Sequence, residues 1–590
     1  MKALILLLAC FGFASQVMAQ SFMMNPYGCK GAESLNGKWN AIVDHFSRGK
    51  AGKFYLNHQP TGKSEFVEYS FEHGLRLEVP GDFNAQSPEL LYYEGNVWYQ
   101  RHFETKKSEG TRQFLYFAGV SYEAEIWLNG NEVGKHEGGF TPFQFDVTDL
   151  LVDGTNDIVV LVNNERRVDG IPAMDFDWWN YGGILRDVFI VERPTVHVLD
   201  YKLQLAKGKT DTISGHVQLA GIETPATANI SIPELGIDQQ LTTDATGRST
   251  FNLSAKPVLW TPESPKMYAV EISTGEDVIR DEIGFRTIET KGPQILLNGK
   301  PVFLKGINFH EEIPQRAGRA YSDADAAMII SEVKALGCNF IRTAHYPQNE
   351  HIVKLAEKNG LMIWSEIPLW QGIEFSNLAI LKKAEDMLRE MVYRDKNRAG
   401  VIIWSIANET SPSDYRDRVL TELVTLTREL DDTRLVAAAF DNCRYNKETS
   451  TFFIQDKLSE VVDVVGVNKY LGWYDAFPTD PAKIQWDVAT DKPLIMSEFG
   501  GEAMYGVRGP ADVSHNWSED YQEAIYLQNY TMFANIPNLA GTSPWVLFDF
   551  RSPRRCHQKF QNGWNRKGVV SDKGQRKRAW FAVKEFHDAR

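Results

Sequence analysis

From Gln294 onward the chain alternates short apolar runs with amphipathic stretches, and few folds accept that pattern. The runs are "VFLKGINFH", "NFIRTAHYP", "LMIWSEIPL", "VIIWSIANE", "RLVAAAF", "VVDVVGVNKY", "PLIMSEFG" and "AGTSPWVLFDF". Between the early ones lie helical patterns such as "DADAAMIISEVKALG" and "LAILKKAEDMLREMVYRD". Apolar, β-branched runs read as strands buried on both faces, and the intervening patterns read as helices packed over them. Eight such runs in this order predict a (β/α)8 TIM barrel. A doubly wound open sheet is the rival, but no G-x-G-x-x-G or phosphate loop follows any run.

The 590 residues are too many for one core. Upstream of the barrel the segments are short and alternating, as in "VWYQRHFET" and "RQFLYFAGV", and turn signals punctuate them. In "IWLNGNEVGKH" the pair Asn129-Gly130 supplies the positive backbone angles of a tight hairpin. This part predicts a jelly-roll β-sandwich over 20–193. A smaller block with "SGHVQLA", "ANISIP" and "YAVEIST" predicts an immunoglobulin-like β-sandwich over 194–289. The barrel then occupies 290–590, so the whole is a multidomain β plus α/β chain.

Residues 1–19, "MKALILLLACFGFASQVMA", carry one Lys, an apolar stretch and small residues, and read as a secretory signal cut after Ala19. Leu8-Ala9-Cys10 offers a lipoprotein alternative. The expectation is export to the periplasm or beyond, without membrane insertion, since no later window is long and apolar enough to span a bilayer. Cys29, Cys338, Cys443 and Cys556 are widely spaced and lack any CxxC pairing, which points to isolated thiols. A net charge of -14 repels phosphate backbones and argues against a nucleic-acid partner.

Polar residues at barrel strand ends converge on one face. Here they are His310 and Glu311, His345 and Tyr346, Glu366, Asn408 and Glu409, Asn468 and Tyr470, Glu498, and Trp545 with Asp549. The set holds no activated Ser or Cys. His310, His345 and Glu366 match no standard metal spacing, so neither a metal nor a cofactor is expected. Glu409 ends the fourth strand and Glu498 the seventh. Two carboxylates across a barrel mouth suit retaining glycoside hydrolysis, in which one attacks the anomeric carbon and the other protonates the leaving oxygen from about 5–5.5 Å away. Asn408 is placed to hydrogen-bond a sugar 2-hydroxyl.

These motifs resemble glycoside hydrolase family 2, most closely its β-glucuronidase members, with β-galactosidase members near. The likeness runs over nearly the whole chain after the leader. It implies that Glu409 in "WSIANE" is the acid/base and Glu498 in "MSEFG" the nucleophile. It also implies sugar-binding roles for His310, His345, Asn408, Asn468, Tyr470, Tyr474 and Trp545, and for Asp177, reaching in from the first domain through "DFDWWNYGGILRDV". Family members are often dimers or tetramers, so a homo-oligomer is also implied. In the β-glucuronidases an Asn-x-Lys motif reads the sugar carboxylate, and "GWNRKGVV" puts Asn565 and Lys567 in that frame. A lysine ammonium there suits an acidic sugar, whereas a neutral galactoside offers nothing to compensate its burial. One departure stands out: the family's Arg four positions before that Asn is Gln561 here, leaving Arg554, Arg555 or Arg566 as substitutes. "DFRSPRR" is also a loop of secreted relatives that cut neutral galactosides. The expectation is therefore an exo-acting, retaining hydrolase of terminal β-D-glucuronides, with a β-galactosidase acting on algal or plant oligosaccharides as the alternative.

Overall fold

The computed structural model describes residues 22, 24–60, 62, 67–487 and 491–590. The leader expected over 1–19 lies outside them.

The barrel follows from its apolar runs. Phe340–Thr343, Met362–Glu366, Val401–Asn408, Leu435–Phe440, Val464–Asn468 and Leu494–Glu498 are parallel strands in which every residue is buried. Leu539–Thr542 pairs on the far side of the seventh strand. The first strand comes in two pieces. Leu304–Lys305 pairs with Leu539–Thr542 and Asn308–Phe309 with Phe340–Thr343, which closes the ring. Gly306 lies at the break, where a Cβ would come within 2.4 Å of the Phe340 ring and 2.9 Å of the Thr542 carbonyl oxygen. All eight runs read from the sequence are strands.

Helices Asp323–Ala335, Glu350–Lys358, Leu378–Asp395, Asp414–Leu430, Glu519–Phe533 and Arg578–Asp588 wrap the ring. Side-chain oxygens of Ser322, Asn349, Asn377, Ser413 and Ser518 cap the first five of these helices. The alternation is incomplete after the fifth and sixth strands. There, among the described residues, a small sheet of Cys443–Asn446, Thr451–Ile454 and Gln485–Asp487 replaces the α-helices. The segment "CRYNKETSTFFI" alternates with period two around a polar turn, so it pairs as a hairpin and has no helical stripe to bury.

The first domain packs a four-stranded antiparallel sheet on a six-stranded one around Trp39, Tyr99, Phe117, Ile126 and Phe143. Its predicted hairpin is present, with Leu128 opposite Asn131 and positive φ at Asn129 (51°) and Gly130 (79°). The second domain packs three strands on four around Leu203, Val217, Ile230 and Ile272. Buried charges fasten both sandwiches to the barrel. Arg186 donates to both oxygens of Glu311 (3.3 and 2.8 Å) and to the Pro347 carbonyl (2.7 Å). Arg286 donates to the Ala399 carbonyl (3.0 Å), and Trp260 to the Glu357 carbonyl (3.0 Å). Cys29, Cys338, Cys443 and Cys556 are unpaired. No helix among the described residues is long and apolar enough to cross a membrane.

Candidate active site

At the C-terminal mouth of the barrel is an open cavity of about 460 Å³ whose walls include Glu409, Glu498, His345, Asn468, Tyr470, Tyr474, Trp545, Asp177 and Lys567. The strand ends are bent to build it. Ladder registers slip between Ser405 and Asn408 and between Val467 and Asn468, and the second slip sets Asn468 opposite Glu498. Such bulges re-aim side chains at barrel rims. Glu409 follows the fully buried fourth strand in the left-handed region (φ 50°), its N–H donating to the Ala439 carbonyl at 2.9 Å. A non-glycine residue held there costs energy that the surrounding packing must supply, and such residues cluster at functional sites.

The two carboxylates have opposite surroundings. Glu498 Oε1 accepts from Arg342 Nη1 at 2.7 Å, and its Oε2 accepts from the Tyr470 hydroxyl at 2.6 Å. Burial, then the charge of Glu498, pushes the Tyr470 phenol well up, so it stays a donor. Arg342 is fully buried and uses its whole fork, also donating to Asn308 Oδ1 (3.1 Å), both oxygens of Glu366 (3.2 and 2.9 Å) and Asn408 Oδ1 (2.7 Å). Glu409 has no cation in contact among the described residues. Among them its oxygens accept from two amides, Asn468 Nδ2 and Gln371 Nε2, each at 2.8 Å. Burial, then Glu498 and Asp441, pushes its carboxyl up to about 8, against the pull of those two amides. One acid is thus paired with an arginine and a phenol, while the other, pushed up to about 8, keeps its proton near neutral pH.

Around this pair, Asn408 Oδ1 also accepts from Asn468 Nδ2 (3.0 Å), whereas its own Nδ2 has no partner among the described residues. The two donors on the oxygen fix the amide so that its free N–H₂ is available to a ligand. His345 Nδ1 lies 2.8 Å from Glu366 Oε1, its Nε2 lies 3.7 Å from Glu498 Oε1, and its ring stacks on Trp545 at 4.8 Å. For Glu366, burial opposes ionisation, but Arg342 and His345 hold its carboxyl below the usual range. His310 sits behind the wall rather than on it. It packs on Phe550 (4.4 Å) and Trp545 (5.3 Å), and burial, then the charges of His345, Arg319 and Arg342, lowers its pKa well below the ordinary histidine value. No group of three His, Cys, Asp or Glu side chains among the described residues could hold a metal ion.

The far wall holds the cations. Lys567 is buried, 1% exposed, and its Nζ donates to the Tyr474 hydroxyl (2.7 Å), with Glu502 Oε1 at 3.4 Å. Arg555 grips Asp177 with Nε (3.1 Å) and Nη2, and its Nη1 reaches the same Tyr474 hydroxyl at 3.0 Å. Asn565 is fully buried behind them, donating to Asp177 at 3.3 Å and accepting from the Lys567 N–H. Gln561, where the family carries Arg, donates to both oxygens of Glu502. Of the three candidate substitutes, Arg554 and Arg555 line the cavity, while Arg566 turns away to Asp549 and Asp572. Burial would raise the Glu502 carboxyl, but Lys567 and Arg555 hold it below its ordinary value, so it anchors both as an anion.

Sequence reading brought out the residues at strand ends and named Arg555 as one of three candidate substitutes, and it passed over Arg342, Gln371 and Glu502. Arg342 and Glu502 had a visible signal, a charge inside an otherwise apolar or glycine-rich run ("NFIRT", "EFGGE"). Gln371 had none.

A parallel barrel with two differently poised carboxylates at its mouth, roofed in part by a β-sandwich, defines an enzyme that cleaves bonds between sugars. The match of residues 288–588, just over half of the 590-residue chain, to the family 2 glycosyl hydrolase TIM-barrel domain shows that the chain belongs to glycoside hydrolase family 2. The sugar-binding domain of the family matches residues 33–194, and its middle domain 196–286. The chain is therefore a glycosidase acting on carbohydrate. It is similar to a putative β-glucuronidase of Formosa agariphila, 27% identical across 86% of this chain and 66% of that longer protein. It is also similar to a β-glucuronidase of Paenibacillus borealis, 26% identical over 93% of this chain and 95% of that one. A solved β-glucuronidase from an uncultured Clostridium sp. superposes with a TM-score of 0.83 at 27% identity, covering 96% of this chain and all of the other.

Proposed function

We propose that the chain is a retaining exo-β-glucuronidase. Glu498, fixed by Arg342 and Tyr470, attacks the anomeric carbon while protonated Glu409 gives its proton to the leaving oxygen. The glycosidic bond breaks and a glycosyl ester forms on Glu498. Glu409, now a carboxylate, takes a proton from water, whose oxygen displaces Glu498 and frees the uronic acid. The free amide N–H₂ of Asn408 donates to the sugar 2-hydroxyl. Asp177, Arg555 and Lys567 line the cavity together, and we read them as its closed end, which suits a terminal sugar unit rather than a chain interior.

The acidic sugar is carried by one observation: a buried lysine on the wall of the cavity that holds both carboxylates. An ammonium so desolvated gains most from a carboxylate that completes its hydrogen bonds. Asp177 and Glu502 already balance Arg555 and Lys567, so the sugar carboxylate is read by donor geometry more than by net charge.

Hydrolysis of 4-nitrophenyl β-D-glucuronide, β-D-galacturonide and β-D-galactoside at equal concentration is the test. The glucuronide is expected to turn over fastest, and Lys567→Ala to cost about 10²-fold in kcat/KM on it. A faster galactoside, or an equal loss on both substrates, overturns the uronide reading. On residues 1–19 alone we also read the enzyme as exported, which N-terminal sequencing of protein recovered outside the cytoplasm would check.

A further inference from the structure

Beside the acid/base, two loops from opposite parts of the barrel meet. After the third strand, Trp370 bridges in parallel to Asn408, the Asn408 N–H donates to the Leu369 carbonyl, and the Gln371 N–H donates to the Asn408 carbonyl (both 2.9 Å). The short pairing puts Gln371 against the end of the fourth strand, in the left-handed region (φ 45°), with Nε2 2.8 Å from Glu409 Oε2. An amide can face a carboxylate with either end, and only one end donates. The choice is made by the loop after the eighth strand. Arg554 lies over the Trp370 ring at 5.5 Å and donates through Nη1 to Gln371 Oε1 at 3.3 Å. With its oxygen engaged by a cation, Gln371 must present N–H₂ to Glu409.

We propose that Gln371 is a positioning residue for Glu409, and that Arg554 acts through it by fixing which end of the amide faces the carboxylate. This rests on the reading of Glu409 as acid/base. Asn468 and Gln371 hold one oxygen each, so the carboxyl plane is fixed from both sides, as proton delivery along one line to a leaving oxygen requires. Donation from Gln371 also favours the carboxylate, the form needed in the second step. Other charged or titratable groups share this space: Glu498 from the seventh strand, Asp441 after the fifth, Tyr470 and the Lys469–Asp475 pair after the sixth, and Arg554. Among these, Gln371 is the neutral contact that sequence reading did not find.

The test is the pH dependence of kcat/KM in a double-mutant cycle. Gln371→Gly removes the amide and keeps a residue at ease with positive φ. It is expected to move the alkaline limb upward by about half to one pH unit, because the donor favouring the carboxylate is gone. It is also expected to slow substrates limited by the water-attack step by about tenfold. Arg554→Ala is expected to shift the limb in the same direction by less, and to add nothing in the Gln371→Gly background. An unmoved limb in Gln371→Gly, or additive shifts, overturns the proposal. The control is Glu409→Gln assayed with a 2,4-dinitrophenyl leaving group, which needs no protonation. Loss of the alkaline limb there keeps Glu409 as the acid, whereas its persistence sinks the acid/base assignment and not merely the role of Gln371.

Discussion

Glu409 and Glu498 share one cavity and one side-chain chemistry, but their surroundings are opposite. Glu498 ends the seventh strand against a guanidinium and a phenol, both donors. Glu409 ends the fourth strand among neutral amides, facing Glu498 and Asp441. The difference comes from what the neighbouring strands contribute. The second strand sends a buried arginine to one carboxylate, while no element among the described residues sends a cation within contact of the other. The proposed division into proton donor and nucleophile rests on that difference of surroundings.

The comparison can be broken at three strengths. Replacing Glu498 by Gln removes the attacking oxygen and is expected to lower kcat by about 10⁴-fold or more with the fold intact, checked by steady-state kinetics beside circular dichroism. Near-normal turnover would remove Glu498 from its role. Replacing Arg342 by Met leaves Glu498 and Glu366 buried without their cation. A loss of about 10²–10³-fold in kcat is expected. Stability should fall by about 3–5 kcal/mol, read from denaturant unfolding. The mildest break is pH. Glu409 must carry its proton in the first step and its carboxyl titrates near 8, so kcat/KM is expected to fall as pH rises through that value, by about tenfold per unit beyond it. A profile flat to pH 10 would contradict the environment described for Glu409.

Much of this site was legible in the sequence, and the rest was hidden for physical reasons. Strand identity follows from apolar period, so all eight barrel strands and the acids that end the fourth and seventh could be read directly. The connections after the fifth and sixth strands, which lack α-helices among the described residues, could not be read, because a barrel needs only a covered outer face and not a particular cover. Lys567 stands in a basic stretch, "NRKGVVSDKGQRKR", where a solvated lysine is the ordinary outcome. Its burial depends on Glu502, which lies 65 positions earlier in the chain. Gln371 is unremarkable as a letter, and Arg554, read only as a candidate for the sugar carboxylate, meets it because two loops fold over the same mouth. Spacing along the chain carries no record of that meeting.

The most direct test of this division of labour is to trap the intermediate with 2-deoxy-2-fluoro-β-D-glucuronyl fluoride and map the labelled peptide by mass spectrometry. The expected result is a single fluorouronosyl adduct on Glu498, formed with time-dependent loss of activity. An adduct on Glu409 or any other residue, or turnover with inverted anomeric configuration and no adduct, would contradict the account.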